Sequence, residues 1–131
     1  MDEIVKAFKV LDSGMRQKFE TGAQRDTRDG KGRFDLVPPC CVARMAALYE
    51  KGALKYDDHN WEKGMPASRF LDSALRHINK YQEGLRVEDH LAAAVFNIFG
   101  IIFLEEMVRR GSLPEKLLDL PNYYAFPEDS P

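Results

Sequence analysis

The sequence lacks the features that would place the protein on a nucleic acid or in a membrane. Its formal net charge is only −2 and its pI is about 5.9, which gives no basic surface for non-specific nucleic-acid binding. Its longest apolar run, residues 91–104, has 14 residues and one polar interruption, Asn97, whereas a bilayer needs ~20. The first residues are partly acidic and contain no apolar signal-peptide core. We therefore expect no nucleic-acid partner, no membrane partner and no secretion signal.

Cysteine is scarce, and regular β-patterning is missing. Cys40 and Cys41 are neighbours in the chain, which rarely form a disulfide with each other, and no third cysteine is present to pair with either. This usage is typical of a reducing compartment, so we expect the protein in the cytoplasm. No stretch alternates apolar and polar residues, and no repeat or low-complexity segment is present. These observations favour an all-α fold.

Apolar periodicity predicts an antiparallel bundle of about four helices in one domain, residues 1–131. Apolar residues make up 44% of the chain, which is enough for a packed core. Ser68 is the expected N-cap of the third helix. The periodic segments place the helices at residues 2–20, 38–56, 68–84 and 87–110. The remaining segments are a charged, glycine-containing loop at 21–37 and a tail at 111–131 with a short helix at 115–119, leaving 38–110 as the helical core.

Two polar residues stand out on the last long helix. His90 and Asn97 are seven residues apart, two helical turns, so their side chains point to the same side. Ala93 and Ala94 lie between them and leave space on that side. Because a buried polar group without a partner costs about 1–3 kcal/mol, we expect both side chains to bind protein groups, water or a ligand.

Two loops carry residues suited to an anionic ligand. Lys31 and Arg33 flank Gly32, an arrangement that suits phosphate oxygens and is equally typical of a solvated turn with paired charges. The chain's single tryptophan, Trp61, lies in a polar loop. It is placed either to stack on a nucleobase or to cover the core.

Carboxylates and imidazoles on the last two long helices can form a metal site in a bundle. Asp72, Arg76 and Glu83 share one stripe, which is also what a solvated helix face with an ion pair looks like. His77 points about 140° away from Asp72, so one ion bound by both is awkward. Aspartate suits Mg²⁺ or Mn²⁺, and histidine shifts the preference toward Mn²⁺ or other transition metals.

Four blocks together resemble a known family. TGAQRDTRDGKGRFDLVPP, GALKYDDHNWEKGMP, RFLDSALRH and EDHLAAAVFN are similar to the bacteriophage dATP/dGTP diphosphohydrolases, which are grouped with the MazG-like all-α nucleotide pyrophosphohydrolases. The resemblance covers about residues 21–106. It implies a metal-dependent hydrolase that converts a purine deoxynucleoside triphosphate, dGTP above all, into dGMP. In phages that replace adenine by 2-aminoadenine, this reaction supplies the precursor of the modified nucleotide.

The resemblance also implies site residues, although the E-E-x-x-E block of MazG-like enzymes is absent. We expect Mg²⁺ or Mn²⁺ to clamp the triphosphate and activate a water molecule. The predicted metal ligands are Asp72, His77, Glu83, Asp89 and His90, of which all but Glu83 are also predicted catalytic residues. The predicted substrate-binding residues are Lys31, Arg33, Asp35, Lys55, Asn60, Trp61, Arg76 and Asn97.

Two other functions use the same features. A nucleotide-binding module would employ the same loops without metal-dependent turnover, and an interaction protein would use its helices only to form an oligomer. The apolar stripe of residues 2–20 predicts that the protein forms a homo-oligomer, a dimer or tetramer, in either case.

Overall fold

The computed structural model describes residues 9–122, and these are mostly helical, with three α-helices and one small two-stranded sheet. The chain divides into two compact units, Met1–Val37 and Pro38–Pro131. The sheet lies in the first unit and all three α-helices lie in the second. The prediction of an all-α chain is confirmed in so far as the described residues are mostly helical, but it missed the two strands. The bundle of about four helices stays a prediction, since three α-helices are described.

The first unit contains an antiparallel β-hairpin. Strand β1, Arg16–Lys18, pairs with strand β2, Gln24–Asp26, in a register that sets Arg16 opposite Asp26. The guanidinium of Arg16 donates to Asp26 at 2.8 Å and to Asp12 at 2.7 Å, so charge pairs hold the strand ends together. A single 3₁₀ turn, Phe34–Leu36, follows later in the unit.

The helix predicted at residues 2–20 is not present over residues 9–20, and residues 2–8 lie outside the described residues. Gly14 has a φ of +84°, outside the helical region, and the chain turns there. Leu11 and Met15, part of the predicted apolar stripe, are exposed. An amphipathic helix gains most of its stability from packing its apolar side, and these side chains have no such packing in the described structure.

The second unit contains helices α1 (Pro39–Lys55), α2 (Ala67–Gln82) and α3 (His90–Arg109), close to the three predicted helices. Pro39 occupies the first turn of α1, where its missing N–H is not needed. Gly84 after α2 and Gly111 after α3 adopt φ values of +92° and +78°, the left-handed conformation that ends helices. The predicted short helix at 115–119 is one 3₁₀ turn, Glu115–Leu117.

Helices α2 and α3 form an antiparallel hairpin whose close approach depends on a glycine. A Cβ atom added to Gly100 would lie 2.5 Å from Cε1 of Phe70, a ring that is itself buried. Only glycine therefore lets the aromatic ring pack directly on the backbone of α3. Leu104, one turn further along, is buried at the same side of the helix. The core of the second unit lies along this contact.

The start of α2 differs from the prediction. Ser68 is not the N-cap, because α2 begins at Ala67 with Pro66 in the capping position. Asp119 from the C-terminal segment caps the helix instead, accepting the backbone N–H of Ser68 at 2.8 Å and also its hydroxyl. A carboxylate at a helix N-terminus also complements the helix dipole.

Helix α3 is long and apolar enough to cross a membrane by length and composition, and 33% of the qualifying window is buried within the protein. A core helix of a soluble protein meets the same criterion, so the expectation of no membrane partner stays a prediction.

Candidate functional site

A cleft of about 970 Å³ opens in the second unit between α1 and the α2–α3 hairpin. Its walls carry aromatic rings, lysines, carboxylates and two imidazoles, all from this unit. Residues important to its chemistry are Arg44, Tyr49, Lys51, Lys55, Asn60, Trp61, His77, Glu88, Asp89 and Asn97. The structure thus brings Lys55, Asn60 and Trp61, three of the predicted substrate-binding residues, together with Asn97 of α3.

His77, Glu88 and His90 are the one group of three side chains in the described residues that is arranged so that it could hold a metal ion. One ligand atom from each lies within 4.8 Å of the other two. The Nδ1 atoms of His77 and His90 are 2.9 Å apart, and His90 is only 4% exposed. An N–H···N hydrogen bond of this length requires one ring to carry its proton on Nδ1 and the other not.

The same group fits a divalent cation. Neighbouring ligands on an octahedral ion with bonds of about 2.1 Å lie about 3.0 Å apart, close to the 2.9 Å between the two Nδ1 atoms. Burial, together with the nearby His90, lowers the pKa of His77, so its imidazole is neutral at pH 7, as a ligand must be. Two imidazoles and one carboxylate favour a transition-metal ion over Mg²⁺.

Glu88, Asp89 and His90 stand in succession at the start of α3, and Asp89 has different partners from the other two. Asp89 is the N-cap and accepts the N–H of Ala92 at 3.1 Å. Its carboxylate also forms a two-point ion pair with the guanidinium of Arg44 from α1, and this hydrogen bonding lowers the pKa of Asp89. Glu88 and His90, on either side of Asp89, are grouped with His77 instead.

Asn97 is buried on the same side of α3 as His90, as their spacing predicted, and it also lines the cleft. It is 8% exposed, and its Nδ2 donates to the backbone carbonyl of Ala93 at 2.8 Å. This bond within the helix satisfies the amide nitrogen. The amide oxygen remains the group with which Asn97 can accept a hydrogen bond from a ligand.

Trp61 both packs on the core and lines the cleft. Its ring meets Tyr49 edge-on with centroids 5.8 Å apart, and Phe103 with centroids 4.8 Å apart. Tyr49 in turn contacts Phe96 of α3 at 5.0 Å. Trp61, Tyr49 and Phe96 therefore form a continuous aromatic wall of the cleft, which we call the aromatic wall. Such rings offer faces or edges to a flat ligand.

Lysines supply the positive charge of the cleft. Lys51 and Lys55 both line it from α1. The ammonium of Lys55 also lies 5.2 Å from the ring centroid of Tyr56, a cation–π contact. Arg44 lines the cleft as well, with its charge already paired to Asp89.

The structure does not bring Asp72, Arg76 or Glu83 to the cleft. Asp72 is exposed and pairs with Arg76 at 2.8 Å, as a solvated helix face does. Glu83 is exposed and accepts a hydrogen bond from Asn79 at 2.8 Å. The divergence of Asp72 from His77, which helix geometry predicted, is confirmed because only His77 lines the cleft.

The predicted phosphate-binding residues Lys31, Arg33 and Asp35 belong to the first unit. There Arg33 donates twice to Asp35, with both bonds 2.8 Å long. This hydrogen bonding lowers the pKa of Asp35 and keeps the pair ionised. Arg33 therefore has the paired charge of the solvated turn, which was the alternative interpretation of this loop. The phosphate-binding role of Lys31 and Arg33 stays a prediction.

Sequence reasoning missed Glu88 and Arg44. Glu88 lies two residues before His90 and was not among the predicted ligands. The local signal for it is the Glu-Asp-His order, which sets three possible metal ligands in succession at the start of a helix. Nothing local marks Arg44, whose partner Asp89 is 45 residues away.

The profile of one family, described as dATP/dGTP diphosphohydrolase, N-terminal, matches residues 21–115, most of the chain. The matched segment contains the whole cleft lining and the cluster of His77, Glu88 and His90. Comparisons with curated proteins and with solved structures give no match.

Proposed function

Because the chain belongs to the dATP/dGTP diphosphohydrolase family, we propose that it hydrolyses a purine deoxynucleoside triphosphate, dGTP above all, to the monophosphate. The observation that carries the proposal is the ligand group of His77, Glu88 and His90, which lies beside a cleft with lysines and an aromatic wall. Phosphoryl transfer needs this combination of positioning and positive charge.

The ligand group holds the divalent cation in this proposal, with Glu88 in place of Asp72 and Glu83, which do not line the cleft. Its two imidazoles and one carboxylate support Mn²⁺ over Mg²⁺ as the cofactor. A bound ion of this kind supplies Lewis-acid polarisation of phosphoryl oxygens and lowers the pKa of a coordinated water. Burial of His90 keeps bulk water from competing for its ring nitrogen.

The lysines and the aromatic wall hold the substrate. Lys51 and Lys55 neutralise phosphate charge from the α1 side of the cleft. Trp61 contacts the base. The free oxygen of Asn97 supports guanine, because the guanine edge presents two neighbouring N–H donors, N1–H and N2–H₂.

The proposed setting follows the chemistry of the substrate. Deoxynucleoside triphosphates are cytoplasmic, and Cys40 and Cys41 are free thiols on the surface, as a reducing compartment allows. In a phage that incorporates 2-aminoadenine, the dGMP formed here would feed synthesis of the modified nucleotide.

The test is incubation of the full chain with each of the four deoxynucleoside triphosphates and either Mn²⁺ or Mg²⁺, followed by chromatography of the products. We expect dGMP as the fastest product and a higher rate with Mn²⁺. Glu88→Gln should lower kcat/KM at least about 100-fold, since even outer-shell partners of a metal cost 10–100-fold. The matched control, Glu50→Gln, changes an exposed carboxylate of α1 outside the cleft and should stay within about twofold of the unaltered chain.

Binding of Mn²⁺ measured by electron paramagnetic resonance separates ligation from turnover. Glu88→Gln should lose Mn²⁺ affinity, and Glu83→Gln should keep it. The reverse order would restore the ligand set expected from the sequence. If no triphosphate yields a monophosphate while dGTP still binds, the protein is a nucleotide-binding module and the hydrolase proposal is wrong.

A further inference from the structure

Two of the three members of the ligand group, Glu88 and His90, stand on either side of Asp89 at the start of α3. Asp89 has a φ of −80° and a ψ of 81°, close to the central residue of an inverse γ-turn. A hydrogen bond from the backbone N–H of His90 to the carbonyl of Glu88, 3.0 Å long, closes this turn. The conformation of Asp89 therefore sets how the two ligands are placed relative to each other.

The carboxylate of Asp89 is held by three N–H donors from two helices. Nε and Nη2 of Arg44 in α1 donate to Oδ2 at 2.5 Å and to Oδ1 at 2.7 Å. The backbone N–H of Ala92 donates to Oδ1 at 3.1 Å. Two bonds from a planar guanidinium fix both the position and the plane of a carboxylate. Arg44 thus restrains the central residue of the turn from the α1 side of the cleft.

No second ion pair takes the place of this one. Among residues 9–122, Arg44 and Asp89 form the one ion pair that joins α1 to the α2–α3 hairpin, since every other pair joins residues at most 10 apart. The ring contact of Tyr49 with Phe96 also joins α1 to α3, but Tyr49 lies more than one turn further along α1 than Arg44. Without Arg44, the start of α3 would lose its charged link to α1.

We propose that Arg44 is a positioning residue for the metal site, because through Asp89 it fixes the turn that directs Glu88 and His90 toward His77. The inference rests on the proposed function in one respect, that the ligand group holds the divalent cation. Asp89 itself lies outside that group, with its carboxylate bound to Arg44 and Ala92. A turn that is restrained before the ion arrives needs less ordering when the ion binds, and this raises the affinity.

Charge and position act in opposite directions here, so the sign of the effect distinguishes them. A guanidinium repels a second cation in its neighbourhood, and its removal also leaves the carboxylate of Asp89 without its counter-charge. On charge alone, loss of Arg44 would therefore strengthen the binding of Mn²⁺. If Arg44 positions the ligands, the same loss weakens the binding of Mn²⁺.

The test is a titration of the full chain with Mn²⁺ in the absence of nucleotide, measured by electron paramagnetic resonance. Arg44→Gln should weaken Mn²⁺ binding at least about 10-fold, the lower end of the loss caused by removing an outer-shell partner of a metal. Arg44→Lys keeps the charge without the planar fork, and its affinity should lie between those of Arg44→Gln and the unaltered chain. Circular dichroism checks that the variants keep their helices.

Arg109→Gln is the matched control. Arg109 also donates two hydrogen bonds to one carboxylate, that of Glu106, but it lies at the opposite end of α3 and outside the cleft. The control should bind Mn²⁺ within about twofold of the unaltered chain. Equal losses of affinity in Arg109→Gln and Arg44→Gln contradict the positioning role.

Asp89→Asn tests the other half of the contact. It removes the charge and keeps a side-chain oxygen that can cap α3, so it should lose about as much Mn²⁺ affinity as Arg44→Gln. The double variant should lose no more than either single variant, because both substitutions interrupt the same contact. A much larger loss in Asp89→Asn than in Arg44→Gln would make Asp89 a direct ligand and overturn the proposal.

The measurements separate this inference from the hydrolase proposal. Unchanged or stronger Mn²⁺ binding in Arg44→Gln overturns the positioning role alone, and a raised KM for dGTP in that variant would then assign Arg44 to the phosphates. Weaker Mn²⁺ binding in Arg44→Gln supports the positioning role even if the unaltered chain hydrolyses no triphosphate. An unaltered chain that binds no Mn²⁺ overturns both proposals.

Discussion

In a helix of a soluble protein the covered side is usually apolar and the solvent side polar, and α3 departs from this distribution. The covered side carries His90 and Asn97, both buried, while the solvent side carries Val95, Ile98 and Ile102. Burying polar groups costs free energy unless they are paired, and exposing a continuous apolar strip is unfavourable in water. The polar side finds partners within the protein, His77 for His90 and the carbonyl of Ala93 for Asn97, whereas the apolar side chains of the solvent side stay partly exposed.

The largest expected effect comes from introducing glutamine on each side of α3 in turn and comparing the two variants. His90→Gln removes a ligand atom from the buried group, so Mn²⁺ binding should be lost and kcat/KM should fall at least about 100-fold. Ile98→Gln places the same amide on the solvent side of α3. It should keep Mn²⁺ binding, as a metal titration of the two variants will measure.

The distinction between the two sides of α3 is wrong if His90→Gln and Ile98→Gln bind Mn²⁺ equally. Loss of Mn²⁺ binding in Ile98→Gln would mean that the solvent side of α3 and the metal group are not independent. Asp72→Asn adds a further check, because Asp72 is exposed and paired with Arg76 and should keep Mn²⁺ binding despite its place among the ligands predicted from the sequence.

An effect of intermediate size on stability distinguishes the closely packed side of α3 from an open helix surface on α1. At Gly100, a Cβ would meet the buried ring of Phe70 at 2.5 Å, whereas at Gly52 of α1 no atom lies within 4 Å. Glycine-to-alanine substitution gains about 1 kcal/mol of helix propensity at both sites. Overpacking costs about 1–3 kcal/mol at Gly100 only, so Gly52→Ala should be the more stable variant by that amount.

Chemical denaturation of both variants beside the unaltered chain measures this difference. Equal stabilities would show that Phe70 moves aside without cost and that the hairpin contact is not closely packed. The pair is matched because both glycines lie within α-helices, so the propensity gain cancels in the comparison.

The smallest effect concerns the polar contact that secures the start of α2. Hydrogen bonds from the hydroxyl and N–H of Ser68 lower the pKa of Asp119. A carboxylate with a lowered folded-state pKa stabilises the fold above its unfolded pKa of about 3.9 and loses this contribution as the pH falls through the folded value. Asp119→Ala should therefore lower Tm slightly at pH 7, and the gap from the unaltered chain should narrow below about pH 4.

Thermal melts at several pH values check this prediction. The exposed pair of Asp72 and Arg76 supplies the comparison, because Asp72→Ala interrupts an ion pair in solvent and should change Tm little at any pH. A gap for Asp119→Ala that stays constant down to pH 2 would mean that the cap does not depend on the carboxylate charge.

The sequence by itself determined the three long helices, because apolar spacing, prolines at the start of α1 and glycines after α2 and α3 all act within a few residues. It also determined that His90 and Asn97 share a side, and that Asp72 and His77 do not. Local spacing failed at residues 9–20, where apolar residues four apart predicted a helix and the chain instead forms a hairpin.

Only the tertiary structure decided which polar residues meet. Asp89 turned toward Arg44, 45 residues away, and left Glu88 to join His77 and His90. Asp119 reached Ser68 across 51 residues. Pairings of this kind depend on how helices pack against one another, and the spacing of residues along one helix contains no information about that. The same packing placed α1 on one side of the hairpin and left Val95, Ile98 and Ile102 of α3 partly exposed to solvent.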